Sequence, residues 1–307
     1  MIDIIIPTYN AHDTIIRTLM SISMQTIKDK VKVYVVDDCS TISYEKEVEI
    51  FKDKLNIKLC RLNKNFGPGY ARQYGLDHSK GEFIVFMDSD DMLSNAFSLE
   101  TLYNNISKGY DVVCSKFYCE ANNEAQNNVR CLHGKIFRRS TIDRYNFKFT
   151  STKYHEDNSF FSLFLLSPAR ILYTDDIVYF NFYNPKSLTN DSPIANENYE
   201  IFSIEYFCFN MEYVIVEAEK RKFDSFEIAR FLYHQIVYLY KLYNIYNNIY
   251  ANRILLCSKN LVRMLKKYNR YLSEQDRIAI YCGLVCDIIP IETLDNFFMK
   301  VNLAYDE

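Results

Sequence analysis

The chain has no tryptophan, only 7 glycines and 6 prolines in 307 residues, and no excess of either charge: 36 Lys and Arg face 39 Asp and Glu, a net charge of −3. That balance excludes a general attraction to nucleic acid or anionic membrane, so any such affinity has to come from a local patch. No run of about 18 uncharged apolar residues occurs, so no transmembrane helix is expected. The nine cysteines (Cys39, Cys60, Cys114, Cys119, Cys131, Cys208, Cys257, Cys282 and Cys286) are odd in number, scattered and without a CxxC pair. A disulfide framework or zinc site is therefore not expected; reduced thiols in a cytoplasmic protein are. The first strand begins at Ile2, which leaves no room for a signal peptide. The missing tryptophan beside 26 tyrosines, with many Asn, Ile and Lys, reads as the coding bias of an AT-rich genome. What is present is apolar material: 49% hydrophobic against 24% charged residues, a globular composition with enough chain for one large domain or two modest ones.

The most informative feature is Asp88-Ser89-Asp90-Asp91, which closes the apolar run Phe83-Ile84-Val85-Phe86-Met87. Three carboxylates in four residues repel one another unless a cation or proton neutralises them. Hard oxygen ligands on a loop suit Mg²⁺ or Mn²⁺ held together with substrate phosphates. Taken alone, the cluster reads equally as a solvated turn that caps a helix. It has company, however. A strand over Val31–Val36 ends in Asp37-Asp38-Cys39-Ser40, and a first strand from Met1 to Ile6 ends in Pro7-Thr8-Tyr9-Asn10. Three strands thus deliver polar residues at their C-terminal ends, where open α/β sheets bind ligands. Between the two acidic strand ends lies Asn63-Lys64-Asn65-Phe66-Gly67-Pro68-Gly69-Tyr70-Ala71-Arg72. Its glycines permit close backbone approach, the following helix start attracts anions, and Arg72 adds a fixed positive charge. Together these features point to a nucleotide-diphosphate site.

Ile6-Pro7-Thr8-Tyr9-Asn10, Val36-Asp37-Asp38-Cys39-Ser40, Asn65-Phe66-Gly67 with Ala71-Arg72, and Gly81-Glu82-Phe83 through Asp91 resemble the successive motifs of family 2 glycosyltransferases of the GT-A fold. Gly134-Lys135-Ile136-Phe137-Arg138-Arg139 is similar to the family's acceptor-side strand, and His155-Glu156-Asp157 to its late acidic pair. The resemblance covers residues 1 to about 190 in the expected order. Two departures stand out: Cys39 where glycine is usual, and Gln73 in place of asparagine after Ala71-Arg72. Neither removes a charged group, so activity is expected to survive both.

The resemblance implies an inverting, metal-dependent transferase that moves a sugar from a nucleotide donor, UDP-linked, to a hydroxyl of a glycan, lipid-linked or other polymer acceptor. Asp90 would ligate Mn²⁺ or Mg²⁺, Asp88 would contact metal or ribose beside Ser89, and Asp91 would orient the loop. Asp37, backed by Asp38, would accept from the base; Pro7, Thr8, Tyr9 and Asn10 would line base and ribose. Asn65, Gly67 and Arg72 would serve the phosphates, with Lys186 of the Asn184–Thr189 loop. Asp157 matches the family's general base. Read from the residues alone, Asp38 is as readily a helix N-cap, Glu156-Asp157 an N-terminal charge cluster, and His155 a solvent histidine. Alternatives are a sugar nucleotidyltransferase, whose Gly-x-Gly-x-Arg loop is missing after the first strand, and an inactive glycan-binding protein on the same fold.

Alternating strands and helices over 1–92 give an α/β, Rossmann-like nucleotide-binding half. Residues 93–192 read as a mixed acceptor-side half with strands at 111–118, 130–138, 171–174 and 177–183. After the linker at Asn190-Asp191-Ser192-Pro193, residues 196–307 hold one Gly and one Pro and read as an all-α domain of about five helices. The segment Phe231–Tyr250 is apolar nearly all round, the pattern of a core helix or a homo-oligomer interface. In helix 252–270, Lys259, Arg263, Lys266, Lys267 and Arg270 share one face. They read either as a solvated face or as a contact for an anionic acceptor or the inner face of a membrane, peripherally bound.

Overall fold

All seven residues of β1 (Ile2–Thr8) are buried, as a parallel strand covered on both faces requires. In the computed structural model, residues 1–126, 130–185, 195–245, 250–285 and 292–303 are described. After β1 come α1 (His12–Ser23), β2 (Val31–Asp37), α2 (Glu45–Glu49), β3 (Asn56–Arg61), α3 (Pro68–His78), β4 (Phe83–Phe86), β5 (Met92–Leu93) and α4 (Ser98–Ile106). They are followed by β6 (Val112–Cys119), β7 (Glu124–Gln126), β8 (Lys135–Arg138), α5 (Arg139–Tyr145), α6 (Glu156–Leu166) and β9 (Ile171–Asn181). Among the described residues nine strands form one sheet in the order β3-β2-β1-β4-β8-β6-β9-β5, with β7 paired to β6. β3, β2, β1 and β4 run parallel, so Thr8 and Asp37 are register partners at one end of the sheet. β8 then reverses the direction against both β4 and β6.

The core joins both halves of this sheet: Ile4, Ile6, Val33, Val35 and Val85 pack with Ile15, Leu19 and Ile22 of α1 and with Leu99 and Leu102 of α4. α3 lies so close to β1 that a Cβ at Gly75 would sit 2.5 Å from Ile5 Cγ2 and 3.2 Å from Val36 Cγ2.

Several boundaries differ from the sequence expectation. The expected strands at 171–174 and 177–183 are one strand, β9; the polar Thr174-Asp175-Asp176 interruption falls where the register against β6 shifts, and Lys116 pairs with Asp175 at 2.7 Å. The expected strand at 130–138 begins only at Lys135, because Gly134 takes φ +66° and packs on the Ser115 carbonyl. The helix expected near 44–54 closes after Glu49, though Phe51 and Leu55 beyond it remain in the core. β5, β7 and α5 had no sequence signal long enough to notice.

The chain divides into two compact units, Met1–Phe161 with Ala169–Asp191, and Ser162–Pro168 with Ser192–Glu307. The second holds α7 (Ala195–Lys220), α8 (Ser225–Ile245), α9 (Ala251–Tyr268), α10 (Glu274–Val285) and α11 (Glu292–Leu303). α8 packs on α9 and α10 and buries Leu232, Tyr233, Ile236, Val237, Leu239 and Tyr240, so this unit's own core takes up Tyr233 and Tyr240 of the aromatic run, while residues 246–249 of it lie outside the described residues. Among the described residues no helix is long and apolar enough to cross a membrane.

Gly75→Ala forces α3 away from β1. Its expected cost is about 1–3 kcal/mol, the usual range for overpacking a filled core, read as a lower urea midpoint with an unchanged m-value.

Candidate active site

The parallel strands end in a row of polar groups. Thr8 is buried and its Oγ1 has no hydrogen-bond partner among the described residues. Its register partner Asp37 is fully buried, accepts from Ser40 N–H at 2.8 Å, and holds Oδ2 3.0 Å from Arg61 Nη1 but outside hydrogen-bond geometry. Buried polar atoms without a partner are uncommon and need a reason; Thr8 Oγ1 and Asp37 Oδ2 stand in this state at the adjoining ends of β1 and β2. Asn10 takes φ +49°, accepts from Thr41 N–H at 2.9 Å, and so ties the first loop to the second. Tyr9 is half exposed beside it, and Pro7 stays inside β1.

Asp38 is spent on the backbone: its two oxygens accept from Phe66 N–H (2.8 Å) and Gly67 N–H (2.7 Å). It shapes the glycine loop, in which Gly67 takes φ +92° and Asn65 is exposed. From that loop α3 carries Arg72 into the centre of the site. Arg72 donates to Glu156 Oε1 through Nη1, and to Asp88 Oδ1 at 2.7 Å through Nη2. One guanidinium thereby joins the acidic turn after β4 to the start of α6. Burial works against its charge, but Asp88, Glu156 and Asp157 outweigh it and hold Arg72 firmly protonated.

The carboxylates divide the remaining roles. Asp88 also meets His133 Nε2 at 3.2 Å; although burial opposes ionisation, Arg72 and His133 hold its carboxyl well below the usual range. Of the two carboxylates on Arg72, Glu156 is the buried one: burial pushes it up to about 8 against the pull of Arg72. Asp91 is fully buried and accepts from Tyr179 O–H (2.7 Å), Phe182 N–H (3.0 Å) and Asn181 Nδ2 (3.2 Å). Burial, with the charges of Asp88 and Asp90, raises it to about 7. Asp90 is partly exposed, accepts from Asn184 Nδ2 at 2.7 Å, and is pushed up by burial and by Asp88. Asp157 is partly buried at the first turn of α6, one Oδ accepting from Asn158 N–H at 2.7 Å. Its neighbour His155 takes φ +63° and turns the chain into the helix. Ser89 contributes its carbonyl to Thr18 at 3.0 Å. Lys186 lies outside the described residues.

Asp88, Asp91 and His133 place ligand-type atoms within 4.8 Å of one another. Their own hydrogen bonds already close that cluster, which suits a locked turn better than a cation cage. Asp90, partly exposed and with one oxygen outside the side-chain network, is the carboxylate whose chemistry fits a hard divalent ion.

Sequence reasoning missed His133 and Tyr179. The histidine stacks on the Tyr179 ring at 4.9 Å, and the Tyr179 hydroxyl lies 3.1 Å from Asp88 N–H, which donates to it. His133 sits directly before the Gly134-Lys135 motif and was within reach of that signal; Tyr179 is one aromatic among many on a strand with none. Burial lowers His133, yet Cys131 and Asp88 raise it well above the ordinary imidazole value.

The sequence profile described as glycosyl transferase family 2 matches residues 3–168. The chain belongs to that family. Relatives of this family 2 glycosyltransferase include the poly(ribitol-phosphate) β-N-acetylglucosaminyltransferases TarS and TarP of Staphylococcus aureus. TarS is 42% identical over 93 residues, which are 30% of this chain and 16% of TarS; the chain therefore spans a small part of that relative's length. TarP is 26% identical over 247 residues, 72% of this chain and 75% of TarP. The solved structure of TarS 1–349 with UDP-GlcNAc superposes with a TM-score of 0.75 at 22% identity, over 98% of this chain and 90% of that one. A mannosyltransferase of Pyrobaculum calidifontis, solved with GDP-Man and Mn²⁺, gives 0.56 at 15% identity over 98% and 86%. The mixed sheet with flanking helices is thus the GT-A fold, followed by helices.

Glu156 and Asp91 are raised from 4.5 to about 8 and from 3.8 to about 7. A raised carboxyl stabilises the fold below its unfolded value and loses that contribution as pH climbs through the folded one. His133, raised as well, acts in the same direction. In chelator, the melting temperature should fall from pH 5 to pH 8, and Glu156→Gln should flatten the decline; a profile rising over that window would refute the assignment.

Proposed function

We propose that the protein is an inverting glycosyltransferase that moves a sugar from a UDP-linked donor to a hydroxyl of an anionic polymer. The observation that carries this reading is the Arg72 bridge, which puts the acidic turn and the start of α6 on one guanidinium. A carboxylate on the donor side and one on the acceptor side are then held in a single hydrogen-bonded frame. The names of the relatives support N-acetylglucosamine as the sugar and a polyol-phosphate polymer as the acceptor.

Thr8 and Asp37 offer a hydroxyl and a carboxylate oxygen to the base. Asp90, with Asp88 behind it, would hold a divalent cation; such an ion supplies Lewis-acid neutralisation of the departing diphosphate. Asp157 would take the acceptor hydroxyl proton as the bond to the anomeric carbon forms and the bond to the UDP oxygen breaks. Glu156, committed to Arg72, fixes the helix start from which Asp157 projects.

The helical unit offers a separate candidate contact for such a polymer: in α9 Ile254, Leu255, Leu261, Val262, Leu265 and Tyr268 are buried while Arg263 and Lys266 are exposed, and Arg270 in the turn just after it is exposed too. Lys267 is bonded to Glu219 at 3.0 Å, so part of the basic stripe is neutralised within the helical unit. An anionic chain would meet this exposed face through Arg263, Lys266 and Arg270.

Asp90→Ala should abolish the Mn²⁺-dependent stabilisation by UDP, which amounts to about 2.7 kcal/mol at 100-fold excess over Kd. Asp157→Asn should keep that stabilisation and lose transfer by on the order of 10²-fold or more. Differential scanning fluorimetry and UDP release across UDP-, GDP- and dTDP-sugars check both; no shift with any nucleotide diphosphate would sink the reading. Arg263→Glu with Arg270→Glu should raise KM for an anionic polymer acceptor, most at low salt, without changing UDP-sugar hydrolysis. Equal KM values at two ionic strengths would leave the stripe a solvated face.

A further inference from the structure

From the acidic turn to α4 the chain is pinned from one side, by a single helix. Arg17 of α1 donates to the Asp90 carbonyl and lays its guanidinium 3.6 Å from the Phe182 ring centroid. Thr18, fully buried, has its hydroxyl 2.7 Å from the Asp91 carbonyl and 3.0 Å from that of Ser89. One turn further on, Ser21 Oγ accepts from Leu93 N–H at 3.1 Å. Just beyond the helix, Gln25 donates to the Asn95 carbonyl at 2.7 Å and accepts from Leu99 N–H at 3.0 Å, and Thr26 N–H donates to Ala96 at 2.9 Å. On the loop side every one of the hydrogen-bond partners named here is a main-chain atom. The bonds therefore fix the path of the backbone and leave its side chains for other work.

We propose that α1 is the positioning element of the acidic turn, with Thr18 as its central contact and Arg17 as its charge. Three successive carbonyls, those of Ser89, Asp90 and Asp91, point toward α1 and are satisfied there. Their combined negative potential lies beside the Asp88 and Asp90 carboxylates, and the Arg17 guanidinium offsets it. A hydroxyl has one proton, so Thr18 shares it between two carbonyls; this holds the turn at both ends at once. The helix cannot slide, because Ile15, Leu19 and Ile22 are fully buried in the core. A turn anchored to a rigid element keeps its carboxylates in register for a cation and diphosphate. Thr18 and Arg17 act through Asp88 and Asp90 and are positioning residues; the inference rests on the reading of Asp90 given above.

The test is UDP binding by calorimetry, with Mn²⁺ and with chelator, on the whole chain and three variants. Thr18→Val keeps shape and β-branching but removes the hydroxyl; Thr18→Ser restores it. Arg17→Met is exposed and asks nothing of the core, so it decides the matter if Thr18→Val does not fold. Loss of a hydrogen bond to a charged turn should weaken Mn²⁺-dependent UDP binding roughly tenfold in Thr18→Val, with metal-free binding unchanged. Thr18→Ser should recover wild-type binding, and Arg17→Met should weaken it while melting like wild type. Wild-type affinity in both Thr18→Val and Arg17→Met, or an equal loss with and without Mn²⁺, overturns the inference. A wild type without Mn²⁺-dependent UDP binding overturns instead the reading of Asp90, and this inference with it.

Discussion

A buried guanidinium shared by two carboxylates governs the site. Arg72 cannot leave its place without stripping the buried Glu156 and the partly buried Asp88 of their shared cation, and an uncompensated buried charge costs several kcal/mol. Its position in turn depends on how α3 begins, which Asp38 sets through the Phe66 and Gly67 amides. The first acidic motif therefore reaches the second through backbone, helix and arginine in succession. Four of the site's carboxylates, Asp38, Asp88, Asp91 and Glu156, have structural partners for their oxygens. Asp90 and Asp157 are each only partly buried, and they are the two for which we propose chemistry.

This division of labour resolves the electrostatic problem raised by four successive polar residues ending in two aspartates. Asp88 is paired with a cation, and Asp91 is raised enough to carry a proton near neutrality. Asp90 has the most to gain from a metal. Repulsion that looks prohibitive in the sequence is spread over the cations beside Asp88, the hydrogen bonds to Asp91 and the partial exposure of Asp90.

Much of the nucleotide half was legible because its strands are short apolar runs punctuated by polar ends, and parallel topology then places those ends together. The helices after residue 195 were legible from periodicity and the scarcity of Gly and Pro. What escaped depends on long-range pairing. β5 is two residues long and exists only because β9 lies beside it. Tyr179 and His133 join the site from opposite sides of β6, an adjacency that no local pattern encodes. Asp38 kept two readings in the sequence, a ligand contact and a cap, and in the fold its oxygens go to the glycine loop.

The two departures from the family pattern belong to the same construction. Cys39 takes φ +63°, a left-handed conformation that costs an L-residue roughly 1–2 kcal/mol and that glycine would adopt freely. Its neighbours over-determine it: Asp37 holds Ser40 N–H, Asn10 holds Thr41 N–H, and Arg61 donates to the Ser40 carbonyl at 2.6 Å. Gln73, one residue after the central arginine, accepts from Phe149 N–H at 2.9 Å. It fastens α3 to the segment that leads into Glu156, the same junction that Gly69 permits by coming so close to the Thr150 carbonyl that a Cβ there would lie 2.1 Å from it. α3 thus meets Asp38 at its start, Glu156 and Asp88 through Arg72, and β1 through Gly75. It is the hinge-pin of the sheet unit, and both unusual residues leave its contacts in place.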